Sequence, residues 1–81
     1  MEIEILRQLI ADEFDEEDID EETEFDADLG ADWLDMVELM FACEEEFDVE
    51  IGEDAMKTVT TVGELIALIR ELAGENRDGR A

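Results

Sequence analysis

Apolar residues recur at helical spacing in three separate stretches of this chain, and a chain patterned this way must bury its stripes by packing helix against helix. Ile3, Leu6, Leu9, Ile10 and Phe14 form the first stripe, with Glu2 and Glu4 ahead of Arg7, the order a helix dipole favours. The second stretch runs from Trp33 to Phe47. Asp32 stands before it as an N-cap, and Asp35 lies in its first turn, where negative charge meets exposed N–H groups. The third is opened by Thr61 and Glu64, a capping box, and continues through Val62, Leu65, Ile66, Ile69 and Leu72 to Gly74, a candidate C-terminal stop. Residues 53–58 have room for one or two helical turns after an extended or turn-like Val49-Glu50-Ile51-Gly52. Residues 15–31 read as a long acidic loop pinned by Ile19, Phe25 and Leu29. Loops of that length are uncommon, so this one either serves function or contains a short helix.

With 81 residues the chain suffices for one domain and one small core, and is too short to enclose a deep catalytic pocket as well. The expected domain covers residues 1–74, with residues 75–81 a flexible polar tail. Apolar residues make up 46% of the chain, more than acidic disordered chains contain, so the charge must coat something that folds. That charge is −23, from 28 Asp plus Glu against 5 Lys plus Arg. It costs stability through self-repulsion, repels nucleic acid and anionic lipid, and steers the domain toward basic patches on partner proteins. Salt or loosely held divalent cations relieve it. The start, Met1-Glu2-Ile3-Glu4, has neither the positive charge nor the apolar run of a signal peptide, and no stretch is long enough to span a bilayer, so a cytoplasmic monomer is expected. A single cysteine, Cys43, and the absence of histidine exclude an internal disulfide, a Cys/His zinc site and any Ser-His or Cys-His pair. No catalytic residue and no specific metal site are expected.

The second helix carries two apolar stripes. Met36, Leu39, Met40, Cys43 and Phe47 cover one side, and Leu34, Val37 and Phe41 lie roughly opposite. A small four-helix domain readily buries the first stripe and struggles to cover both. Either this helix is the central, most buried one, or the second stripe is a docking surface. Glu38, Glu44 and Glu45 beside it favour docking, because an apolar centre inside a charged rim is a common interface design.

The run Asp28-Leu29-Gly30-Ala31-Asp32-Trp33-Leu34-Asp35 resembles the acyl carrier protein signature, in which Asp-Ser-Leu opens the second helix. The similarity continues through Val37-Glu38-Leu39, Glu44-Glu45-Glu46-Phe47-Asp48, Glu50-Ile51 and Thr60-Thr61-Val62, and covers residues 3–72. It implies an all-α, four-helix bundle with three main helices, one short third helix and a long acidic first loop. It also implies a carrier that shuttles acyl intermediates of fatty-acid or polyketide synthesis on a phosphopantetheine arm joined to a serine hydroxyl. By that resemblance Leu34, Val37, Glu38, Phe41, Glu44 and Glu45 match the partner-recognition helix. Asp32 and Asp35 flank the attachment point, where they help dock the basic phosphopantetheinyl transferase.

At the attachment position stands Trp33, whose indole has one N–H donor and no oxygen to form a phosphodiester, and the chain contains no serine. Thr23, Thr58, Thr60 and Thr61 bear hydroxyls but none follows the signature. No covalent phosphopantetheine is expected. Trp33 either folds over the core edge, stands exposed as a simple block to modification, or imitates an acyl arm by entering the bundle or a partner. Lys57, in the short third helix where the family is usually acidic, weakens one edge of the partner surface. Cys43 lies on the core stripe and is expected to be inert. Asp26 and Asp28 have the spacing of the first calcium-loop ligands, but Gly30 and Glu38 break the register. The leading expectation is an unmodified carrier-type domain that docks on synthesis enzymes through their basic surfaces. The alternative is a repurposed interaction or regulatory protein of the same fold.

Overall fold

The computed structural model describes residues 3–78, with side chains as far as residue 74, as an all-α fold of four helices: α1 (Ile3–Phe14), α2 (Trp33–Phe47), α3 (Glu53–Lys57) and α4 (Val62–Asp78). The arrangement of three main helices, a short third one and a long first loop is the one expected. Leu6 and Ile10 of α1, Leu39, Met40 and Cys43 of α2, and Leu65 and Ile69 of α4 meet in one buried core. Ile3, Leu9, Phe14, Met36 and Phe47 are half-buried around it. The 3.6-residue period therefore named the core residues correctly, and the flanking members of each stripe form its margin.

Two helices end on non-glycine residues in the left-handed region. Asp15 follows α1 at φ 55°, with the Glu16 N–H donating to the Ala11 carbonyl at 3.2 Å, and Asp48 follows α2 at φ 56°, its N–H donating to Glu44. Aspartate tolerates this conformation better than most residues, because its short polar side chain can bond locally. At the other end of α2 the Asp35 N–H donates to Asp32 Oδ1 at 2.9 Å and the Asp32 N–H to Asp35 Oδ2 at 3.2 Å. This is a reciprocal capping box with Asp in place of the usual Glu. Thr61 and Glu64 form the expected box on α4, with the Glu64 N–H donating to Thr61 Oγ1 at 3.2 Å and the Thr61 N–H to Glu64 Oε1 at 3.2 Å.

Gly74 does not stop α4, which continues to Asp78. Glycine permits a left-handed cap without compelling one. The following Glu75, Asn76 and Arg77 supply no apolar residue to fold back on the last turn, as a glycine-terminated helix usually has. The tail expected over residues 75–81 is thus helical as far as residue 78, and residues 79–81 lie outside the described residues.

The loop between α1 and α2 is held at three apolar points and by main-chain bonds. Ile19 and Phe25 are buried and Leu29 half-buried, so all three expected anchors engage the core. Phe25 also meets Phe14 of α1, ring centroids 6.2 Å apart. Thr23 is buried, and its hydroxyl accepts from the Asp20 N–H at 3.0 Å. The Phe25 N–H donates to the Thr60 carbonyl, the Val62 N–H to Thr23 and the Gly63 N–H to Glu21, each at 2.9 Å, tying the loop to the start of α4. A Cβ on Gly63 would lie 3.0 Å from the Glu21 carbonyl oxygen, so the close approach depends on glycine there. Residues 24–31 close on themselves in hydrogen-bonded turns, ending at Gly30 with φ 68°. Those turns, rather than a formed helix, account for the length of the loop.

Candidate functional site

The capping box fixes the first turn of α2 and with it Trp33, the first residue of the helix. Trp33 is 50% exposed, neither folded into the core nor free of it. Trp33 and Met56 of α3 both line two open hollows. One, of about 290 Å³, opens toward the first loop past Asp26, Met36, Lys57 and Thr60. The other, of about 230 Å³, lies between α2 and α3 over Val37, Met40, Phe41 and Ile51, with Glu44 and Glu53 among its walls. Trp33 stands with Leu34 and Phe41 among the exposed large apolar residues and is half covered by the walls of these hollows.

The two stripes of α2 separate as its periodicity required. Leu39, Met40 and Cys43 are buried, whereas Leu34 is 61% and Phe41 63% exposed, with Val37 half-buried between them. The helix is therefore not covered on all sides. Asp32, Glu38 and Glu45 are exposed around the stripe, and Asp35 is half-buried. Glu44 has a second engagement: its Oε2 accepts the Ile51 N–H at 2.7 Å, closing the turn between α2 and α3. The bond is invisible in the sequence because the partner is main chain seven residues on.

Sequence reasoning also missed Glu13. Its carboxylate on α1 comes within 4.8 Å of those of Asp35 and Glu38 on α2. Partial burial, together with the hydrogen bond and charge of Glu38 and the charge of Asp35, raises the Glu13 carboxyl above its ordinary value. Only the packing of α1 against α2 brings these groups together, and no single helix pattern encodes that register. Asp28, weighed as a calcium ligand, instead accepts the Glu24 N–H at 2.8 Å. Lys57 and Asp26 both line the first hollow.

Of the nucleophile candidates, Cys43, Thr23, Thr58 and Thr61 serve structural roles, whereas Thr60 is exposed just before α4 and, among the described residues, only its main chain is bonded, its N–H donating to Glu64. Cys43 is fully buried, and its thiol is pushed up to about 12 by burial and by the charge of Glu44, so it holds no thiolate near neutrality. Thr23 and Thr61 serve the turn and the cap described above, and Thr58 Oγ1 donates to the Ala55 carbonyl at 2.7 Å. Among the described residues no helix is long and apolar enough to cross a membrane.

Comparison with known proteins agrees with this arrangement. Residues 4–69 match the family described as "Phosphopantetheine attachment site". An acyl carrier protein of Picosynechococcus sp. is 42% identical over 73 residues, 88% of this chain and 90% of that one. Another, of Phenylobacterium zucineum, is 50% identical over 60 residues, 74% of this chain and 76% of that one. In a solved structure described as the ishigamide ketosynthase/chain length factor, one chain superposes with a TM-score of 0.72 at 25% identity, covering 89% of this chain and 93% of that one. Sequence, helix order and the extent of these matches make this chain a member of the acyl carrier protein family, whose members are carriers rather than enzymes and whose cofactor is phosphopantetheine.

Proposed function

We propose that this domain works as an unmodified carrier: it docks on enzymes of fatty-acid or polyketide synthesis through α2 and takes no phosphopantetheine at position 33. The observation that carries the reading is the exposed stripe of Leu34, Val37 and Phe41 beside Trp33, with Asp32, Asp35, Glu38, Glu44 and Glu45 around it. A partner that covers this contiguous stripe removes its apolar area from water in one contact, and its one-signed rim selects a basic partner. Phosphopantetheine does not fit the donor set of this site. Trp33 offers an N–H and no oxygen, the chain has no serine, Thr23, Thr58 and Thr61 have their hydroxyls engaged, and the exposed Thr60 lies just before α4, outside the Asp28–Asp35 run. The likeness to a chain in a ketosynthase/chain length factor structure favours a condensing enzyme among the partners.

The test is intact-mass spectrometry after incubation with a phosphopantetheinyl transferase and coenzyme A, together with binding of the domain to an immobilised ketosynthase. The mass stays unchanged, and binding weakens when Phe41→Asp is introduced. A gain of the arm's mass overturns the unmodified state. If no synthesis enzyme binds and the gene lies in an unrelated operon, the fold serves instead as a regulatory or interaction protein.

A further inference from the structure

The hollow between α2 and α3 has a composition that the docking stripe alone does not explain. At about 230 Å³ it falls below the roughly 300–1,000 Å³ of small-molecule sites, which suits one long side chain better than a free ligand. Its lining is mostly apolar, Val37, Met40, Phe41, Ile51 and Met56 with Trp33, and Glu44 and Glu53 are its acidic members. Glu53 is exposed, whereas the other carboxylate there, Glu44, already accepts the Ile51 N–H. Lys57, the nearby cation, lines the other hollow.

We propose that this hollow is a seat for an arginine side chain of the docked partner. Its methylene stem lies along the apolar lining, its guanidinium stacks on Trp33, and its N–H groups donate to Glu53. The proposal rests on the docking reading and specifies the partner's chemistry. A carboxylate-bearing occupant would be repelled by Glu53 and by the −23 charge of the chain. A neutral alkyl group would leave Glu53 unused. Arginine suits the place better than lysine because its flat, weakly hydrated head stacks on an aromatic face and also bonds a carboxylate. Trp33 then changes the position from one that carries a group to one that receives a group.

Butylguanidinium, butanol and butyrate serve as probes, titrated while the methyl NMR signals of Val37, Met40 and Met56 are followed. Butylguanidinium produces saturable shifts. Glu53→Gln and Trp33→Ala each weaken it by about threefold or more, the factor expected for one carboxylate or one cation–π contact. Glu17→Gln, which removes the same charge from the exposed first loop, changes it less than about twofold. Trp33→Phe supplies the comparison if Trp33→Ala loses its fold, and retains part of the affinity. The absence of saturable shifts, equal response to butanol or butyrate, or equal effects of Glu53→Gln and Glu17→Gln would overturn the proposal. Because no synthesis enzyme takes part, failure here leaves the docking reading to its own test.

Discussion

Replacing Trp33 by serine separates the two properties joined at that position. The indole is 50% exposed, so about half of the roughly 150–250 Å² that a tryptophan can bury is removed from water. At about 25 cal/mol per Å², that is about 2–3 kcal/mol, and a compact unfolded state reduces it to about 2 kcal/mol. The Trp33→Ser protein is therefore expected to unfold at lower urea with an unchanged m-value, less stable by about 2 kcal/mol. It remains folded through Leu6, Ile10, Leu39, Leu65 and Ile69, none of which depends on position 33. The same change creates Asp-Ser-Leu at the capped start of α2, with a hydroxyl in place of the indole. Incubated with a phosphopantetheinyl transferase and coenzyme A, the variant gains the mass of the arm and the parent does not. A folded variant that stays unmodified would refute the view that one missing oxygen separates this chain from a working carrier. A stability loss near zero would show that the covered half of the indole contributes nothing to the fold.

Two further perturbations probe the carboxylates. With its folded value raised above 4.5, Glu13 favours the folded state most when protonated, so its contribution is present below pH 4.5 and is lost as pH rises through the raised value. Glu13→Gln flattens that part of the stability-versus-pH curve and raises the urea midpoint at pH 7; a lowered midpoint at pH 7 counts against repulsion among Glu13, Asp35 and Glu38. Glu44→Ala loses the bond to the Ile51 N–H, at a cost of about 1–3 kcal/mol, whereas Glu44→Gln keeps an acceptor and loses less. Equal losses in urea titration would mean that the charge, not the bond, holds the turn.

The parts of this molecule legible in its sequence are those that depend on one element at a time. Leu39 and Cys43 against Leu34 and Phe41 is a division made by helical rotation alone, and the structure reproduces it. The caps Asp32 and Thr61 act within three residues, so their bonds could be anticipated. Glu13 beside Glu38 and Glu53 beside the Trp33 hollow depend on how separate helices meet, which periodicity does not specify. Helical position alone makes Glu44 a rim charge, while its bond to Ile51 depends on the path of the turn that follows. Gly74 misled because glycine lowers the barrier to a helix end without supplying the contacts that complete one.

The way the first loop is fastened bears on how this domain can change over generations. Its links to α4 use the carbonyls of Glu21, Thr23 and Thr60, atoms every residue possesses, and its anchors are Ile19, Phe25 and Leu29. Exposed positions such as Glu16, Glu17, Asp18 and Glu22 are therefore free to drift in side chain without loosening the loop. The acidity of that surface is a dial that selection can turn independently of the fold, and partner choice can follow it.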